Sequence, residues 1–439
     1  MSLLGRAKRG PAAPPGVRRV VRLNNGFQLL FNLLWWMPVF YEYQRQAGLS
    51  DSQIFGIQSV YYVAFCLLEV PTGFIADRIG QRTCLRLGAA VMTAANLVPV
   101  ALPSATGFLL HFLAIAAARS LVSGASSAYL YEYLHAEGAG ERYVQAEGTA
   151  RALGLWAKIA CWPLVGVLMS TVHQAPYLLT AACTLGSLAC AAALPALPPP
   201  PSAPPPAGAG ARNGAPAAAV PGGGFLDSVR QAWKVLRTSR ALGPLMVQGV
   251  AIFTLARICQ VNLFQPLLLA RAVPVADHGA VLSAMTVAEA LGSSRPGWIR
   301  ARLSDTAAVT VLSLVMAGSL AATALSGAAA TIAWLCVFAA ATGLAYPVQR
   351  YLINAAIPPT PYRATLLSLE SIIDRGVCAL VALAVGAYLA ADRLDALLLH
   401  AALGTCVLLG AVAVALRLVR RRPGPGADTG TPSDRALSR

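Results

Sequence analysis

Residues 73–82 read Gly73-Phe74-Ile75-Ala76-Asp77-Arg78-Ile79-Gly80-Gln81-Arg82. A long apolar run precedes this stretch and another follows it, so Asp77, Arg78 and Arg82 fall in a short charged loop between two helices of membrane length. An ordinary basic loop would show positive charge on one side of the membrane and nothing more. Here two glycines, an acid and two arginines fall within ten residues.

The rest of the chain fits that setting. Apolar residues make up 56% of the sequence and charged residues only 12%; a soluble chain carries about twice that charge. The apolar runs are long and continuous, which favours helices over the alternating strands of a barrel. A net charge of +16 raises the question of nucleic acid. Its distribution argues against that partner: Arg6, Arg9, Arg18, Arg19 and Arg22 crowd the N-terminus, Arg420, Arg421 and Arg422 the C-terminus, and others every second loop. That is the positive-inside pattern. Lysine is nearly absent beside many arginines, alanines and prolines, as in the proteins of a GC-rich bacterial genome. The first 25 residues have no apolar segment of the signal-peptide kind. The nine cysteines show no metal-ligand spacing and read as small apolar fillers within helices.

Twelve spans are expected, at roughly 26–44, 54–74, 83–102, 108–133, 149–170, 176–197, 243–268, 279–297, 306–325, 328–353, 365–390 and 396–417. The loops on the opposite side carry Arg45, Arg271 and Arg393 against Asp51, Asp277, Asp392 and Asp395, with no positive excess. Both termini are therefore expected in the cytoplasm. Residues 198–224 form a Pro/Ala/Gly-rich linker without a core of its own. Phe225 to Arg240 follows, with Phe225, Val229, Trp233 and Leu236 on one face and Arg230, Lys234 and Arg237 on the other, as in a helix lying on the inner leaflet. The expected organisation is a basic tail (1–25), a six-helix bundle (26–197), the linker with its amphipathic helix (198–242), a second bundle (243–417) and a basic tail (418–439).

The loop resembles the signature between the second and third helices of the major facilitator superfamily, G-x-L-A-D-R-x-G-R-[KR]. Gly73, Ala76, Asp77, Arg78, Gly80 and Arg82 match, Ile75 is conservative, and Gln81 departs. An eroded second copy follows the eighth span, where Arg295, Gly297 and Arg300 echo the pattern and Ser294 stands at the acid position. Glu69-Val-Pro-Thr-Gly73, Ser123-Gly124-Ala125 and the stretch from Asn354 through Ile357-Pro358 to Arg363–Leu369 resemble a bacterial branch of drug or metabolite exporters. The resemblance implies an all-α membrane fold of two pseudo-symmetric six-helix bundles. It also implies that Asp77 sits against the start of the eleventh helix near Ala364 and Thr365, where free N–H groups favour an anion. Arg78 or Arg82 would then pair with Glu132, or secondly Glu137, to latch the cytoplasmic face. On that basis Asp77→Asn is expected to insert normally and to favour the inward-open state. The Gly-Pro-x-x-Gly-Gly run of many drug/proton antiporters is reduced to Pro163 and Gly166, which weakens an antiport assignment.

Charges inside spans are costly and usually face a cavity or a partner. Away from the helix ends they fall at Arg119, Lys158, Arg257, Glu289, Glu370, Asp374 and Arg375, while the interiors of spans 6, 9 and 12 carry none. In the superfamily fold those three spans, with the third, are outer supports. Arg119 resembles an arginine of many antiporters, although it stands five rather than four residues before the glycine. It suits an anion or a carboxylate partner, with a fixed structural pair as the rival. Lys158 has the further alternative of reaching outward to lipid headgroups. Glu289, Glu370 and Asp374 are the candidate proton sites; Glu370 and Asp374 share a helix face. Glu289 and Asp374 lead, with structural pairing the main rival for both. His111, His135, His173, His278 and His400 are scattered and read as structural.

The resulting expectation is a secondary transporter of the bacterial inner membrane that exports an amphipathic small organic molecule in exchange for protons. It needs no cofactor, is not an enzyme, has the lipid bilayer, its substrate and protons as partners, and works as a monomer. Mixed intramembrane charge suits a zwitterionic or anionic substrate better than a purely cationic one. An uptake symporter for a nutrient is the first alternative, and a non-transporting receptor or enzyme the second. No phosphate-cradling loop, metal cluster or nucleophile–base pair is visible in the sequence to support the last.

Overall fold

Helix breakers and helix caps divide the apolar runs, and the computed structural model, which describes residues 14–197, 225–239, 241–357 and 363–421, follows those divisions. The first half comprises α1 (Pro15–Asn32), α2 (Phe40–Gln46), α3 (Asp51–Ile79), α4 (Gln81–Ala101), α5 (Ala105–Ala136), α6 (Tyr143–Cys161), α7 (Val165–Thr171) and α8 (Ala175–Ala193). The linker helix α9 (Phe225–Thr238) leads to the second half. That half holds α10 (Leu242–Arg257), α11 (Phe264–Ala270), α12 (Val275–Ser293), α13 (Pro296–Arg300), α14 (Asp305–Ala324), α15 (Ala328–Ala356), α16 (Arg363–Ala390) and α17 (Leu394–Arg421). There is no strand among the described residues.

Nine helices among the described residues are long and apolar enough to cross a membrane. The broken α1–α2 rod, α3 and α12 are the other helical stretches expected to span, so a twelve-span arrangement is consistent with the structure. Leu67, Leu380, Leu403 and Val407 are more than half exposed, as side chains facing lipid would be.

The two halves repeat one packing scheme. In the first, α4 packs on α5 and α8, α3 on α5, and α1 on α6 and α8; in the second, α14 packs on α15 and α17, α12 on α15, and α10 on α16 and α17. Close approach within each half depends on small residues, because lipid supplies no hydrophobic drive between helices. A Cβ on Gly88 would meet Ala118 O at 3.0 Å on α5, and Cβ atoms on Gly292 and Gly343 would run into the facing backbones of α15 and α12.

Two departures from the expected spans have physical causes. α1 begins at Pro15, well before residue 26, because Val17 packs with Leu130, Leu134 and Ala146 while Arg18, Arg19 and Arg22 remain exposed. The first span is also broken over residues 33–39, a stretch that contains Pro38. The freed backbone groups find side chains. Trp35 N donates to Thr180 Oγ1 at 2.9 Å, and Trp162 Nε1 donates to Leu34 O at 3.0 Å. Gln265 on α11 donates from Nε2 to Met37 O at 3.0 Å, and its Oε1 accepts from Tyr41 N at 3.0 Å. One amide thus closes both sides of the gap and ties the two halves together.

The linker run 198–224 lies outside the described residues. The helix expected after it is present as α9, but its Val235 and Leu236 pack against a cluster of Leu242, Met246, Ile353, Ile357 and Leu366. Trp233 stays 44% exposed, with the Arg237 guanidinium 5.4 Å above its ring.

Candidate functional site

Three glycine seats close the molecule at the end remote from the α3–α4 turn. A Cβ on Gly166 of α7 or Gly279 of α12 would overlap backbone of the other half, at Val275–Ala276 and at Trp162 respectively. A Cβ on Gly386 of α16 would meet Phe55 Cβ of α3 at 3.0 Å. Nearer the middle, Tyr62 donates to Asn262 Oδ1 at 3.0 Å across the interface. The spans holding these residues are not regular helices. Pro163 is accommodated by a tight turn over Trp162–Leu164, and the chain before Pro266 widens into a π-turn over Ile258–Leu263. Proline cannot donate to the residue four back and its ring crowds that carbonyl, so a wider turn relieves both. The π-turn carries Gln260, which bonds Glu289 within the same half, and Asn262, which meets Tyr62 across the interface.

Between these seals and the α3–α4 turn lies the cavity. On the second half a space of about 400 Å³ is lined by Arg257, Gln260, Glu289, Arg350, Glu370, Asp374 and Arg375, with Phe253 and Tyr346. On the first half a space of about 300 Å³ is lined by Gln28, Asn32, Glu147, Arg151 and Lys158. Charges of Arg151 and Lys158 bear on Glu289 from the facing half, and Arg119 bears on Lys158.

The three acids are held differently. Asp374 accepts from Arg257 Nη2 at 2.9 Å and from Thr254 Oγ1 at 3.0 Å. Glu370 accepts from Arg350 Nη1 at 2.9 Å, and that guanidinium lies 4.8 Å from the centre of the Phe253 ring. Glu289 has no ion pair among the described residues; its Oε2 accepts from the neutral Gln260 amide at 3.0 Å. Arg375 points away from its neighbour Asp374 to the other half, 3.7 Å from Glu69 Oε2 and 3.7 Å above the Phe65 ring. Among the described residues this is the one ion pair that joins the halves.

Of the six expected cavity charges, Arg257, Glu289, Glu370 and Asp374 line the larger space and Lys158 the smaller; Arg119 lines neither, although its charge bears on Lys158. Four partners were missed: Arg350, Glu69, Glu147 and Arg151. They sit close to predicted helix ends, where charge is cheap and carries little information. The spacing of Glu147, Arg151 and Lys158, four and then seven residues apart on one helix, was a signal for a common face.

The turn motif is only partly described. Gly73, Asp77 and Arg78 lie in the last turns of α3 and not in the expected loop, which shrinks to Gly80 between α3 and α4; the Asp77 side chain, like that of Ala364, lies outside the described residues. Gly80 takes φ of +82°, a backbone state that suits glycine. Glu132 does not pair with Arg78 or Arg82 as expected. Gln81 Nε2 donates to it at 2.7 Å, while Arg78 and Glu137 are exposed. Gln81, at the start of α4, faces α5 and reaches Glu132 first; the departure from the motif has taken the basic residue's partner. In the second half Arg300 pairs with Asp305 at 2.7 Å and lies 4.7 Å above the Tyr351 ring, so the eroded copy also clamps its turn.

The histidines are in structural settings: His111 is fully buried, its Nδ1 2.7 Å from Ala95 O, and Tyr388 lies 2.9 Å from His400 Nδ1. All nine cysteines are free, and no metal-holding group occurs among the described residues.

The family model described as the Major Facilitator Superfamily matches residues 26–369. The chain belongs to the major facilitator superfamily. Solved structures share its fold. A mutant of the nucleoside transporter NupG aligns with TM-score 0.74 at 12% identity, over 91% of this chain and 99% of that one. An autoinhibited POT family peptide transporter gives 0.68 at 11% identity, over 96% and 99%. A bacterial homologue of the human lysosomal transporter Spinster, inward-facing and unoccupied, gives 0.65 at 13%, over 94% and 100%. No curated protein matches the chain. As a superfamily member with this cavity it is a multi-pass membrane transporter of a small molecule, not an enzyme.

Proposed function

We propose that this transporter couples export of a small amphipathic organic molecule to proton entry by alternating access, with Glu289 carrying the proton. The observation behind this is the difference among the three cavity acids. Asp374 and Glu370 are each committed to an arginine, whereas Glu289 is bonded only to the Gln260 amide. A carboxylate without a contacting cation exchanges a proton without breaking an ion pair. As the two halves rock, water reaches Glu289 from one side and then the other.

Export is supported by the resemblance of Glu69–Gly73 and Ser123–Ala125 to exporter sequences. Arginine-rich loops argue for a bacterial inner membrane with both termini in the cytoplasm. The α3–α4 turn then faces the cytoplasm, and the glycine seats close the outer side. The transporter works as a monomer, since each half supplies one wall of the same cavity.

Proteoliposomes carrying a pH-sensitive dye and an imposed proton gradient test the coupling while amphipathic organic compounds are screened. The transported compound should accumulate on the acidic side, with protons moving the other way. Accumulation on the alkaline side would make the protein an uptake symporter. Transport indifferent to the gradient would remove proton coupling altogether.

A further inference from the structure

The cations of the first half have no counterpart in the second. Arg257, Arg300 and Arg350 each contact a carboxylate at 2.9 Å or less. Arg119, Arg151 and Lys158 make no ion pair and no hydrogen bond among the described residues; the Lys158 ammonium has only the Trp162 ring, 5.6 Å away. One acid, Glu147, lines the same space, and its Oε1 is buried without a hydrogen-bond partner instead of closing on Arg151. Two cations, Arg151 and Lys158, line this space against one acid, and the charge of Arg119 bears on Lys158 from beside it, so this side is positive.

Arg119 and Lys158 lie well inside their spans, where an unpaired cation is costly and persists where something else supplies the negative charge; Arg151, exposed near the expected end of its span, adds its charge to the same side. Snorkelling does not explain Lys158, which lines the cavity together with Gln28 and Asn32. Those two amides extend the wall with groups able to donate and accept. Gln28 Nε2 already donates to Ser126 Oγ at 2.6 Å, and Asn32 Nδ2 to Gln28 O at 2.8 Å, so both are held in place. The wall is therefore a preset, water-accessible pocket of positive charge facing a Glu289 that no cation contacts.

We propose that Arg119, Arg151 and Lys158 form the subsite for the anionic head of the transported molecule, a carboxylate or phosphate group on a small organic body. This rests on the transport reading above and names its substrate class. It also fits the proposed direction, because an inside-negative membrane potential favours outward movement of an anion.

Thermal unfolding of the purified full chain in detergent tests the subsite with a matched set of probes: benzoate, phenyl phosphate and benzylammonium. The two anions should stabilise wild type in a saturable way, and the cation should not. The stronger of the two anions identifies the preferred head. Lys158→Gln and Arg119→Gln should each weaken anion binding by about tenfold to a hundredfold, the worth of one charge-assisted contact. Lys158→Arg should retain binding. Without any anion, Lys158→Gln should unfold at the same or a higher temperature than wild type, because it removes a repelling charge; a structural lysine would give a drop.

Equal stabilisation by benzylammonium, anion binding that survives both Gln variants, or no stabilisation by either anion would overturn the subsite. Glu289→Gln should still bind the anions. A failure of proton coupling therefore shows in flux with anion binding intact, and a failure of the subsite shows in binding with flux intact.

Discussion

Asp374 shows what fixed pairing does to a cavity acid. Its side chain is 6% exposed and that of Arg257 35%, so the pair lies between a surface bridge and a buried one. Losing a partner costs up to about 1 kcal/mol at the surface and about 3–5 kcal/mol when the remaining charge is buried. Because the carboxylate is the buried member, Arg257→Ala should fall toward the larger figure and lower the thermal midpoint in detergent by several degrees. Replacing both, as Arg257→Met with Asp374→Leu, should recover much of that loss; a double variant less stable than Arg257→Ala would show that the pair contributes net stability. Residues of this kind were partly legible. Charges within apolar runs announce a cavity, so Glu289, Glu370, Asp374, Arg119, Lys158 and Arg257 could be picked from sequence. Two of the partners could not: Arg350 and Thr254 reach the acids across helix interfaces that no local pattern encodes.

Among the helices, the break before α2, the tight turn at Pro163 and the π-turn before Pro266 share a cause: proline denies a backbone bond and side chains or wider turns make good the loss. Sequence marked the prolines but not the consequence, because Thr180, Trp162 and Gln265 come from distant segments. The same limit applied to Gln81, which read as an imperfection of the motif and turned out to hold Glu132. At the remote end the seal is backbone against glycine. Gly279→Val should cost about 1–3 kcal/mol of overpacking in the closed arrangement and shift the population toward states open at that end. Spin labels on α7 and α12 should then move apart; an unchanged distance with normal folding would mean that the seal is not a conformational contact. Glu69→Gln should weaken the cross-half contact with Arg375, which at 3.7 Å is already loose, and favour separation of α3 from α16. A distance distribution between those helices identical to wild type would assign the contact to packing by Phe65 alone.

For the whole molecule, the two-bundle plan was the most legible level. Twelve apolar runs, a Pro/Ala/Gly linker between the sixth and seventh and an eroded repeat of the turn motif all point to one duplicated architecture, which the matching packing of the halves displays. The cavity belongs to neither half alone: the first presents unpaired cations, and the second presents paired acids and Glu289. A rocking motion that exposes this space to each side in turn is the simplest use of such a division. The central claim is that Glu289, alone of the three acids, moves the proton. Substrate-driven proton flux in proteoliposomes, compared among wild type, Glu289→Gln and Asp374→Asn, tests it most directly. Glu289→Gln should bind and exchange substrate yet lose proton flux and uphill transport, whereas Asp374→Asn should keep coupling at a reduced rate. Full proton flux in Glu289→Gln, or its loss only in Asp374→Asn, would contradict the claim.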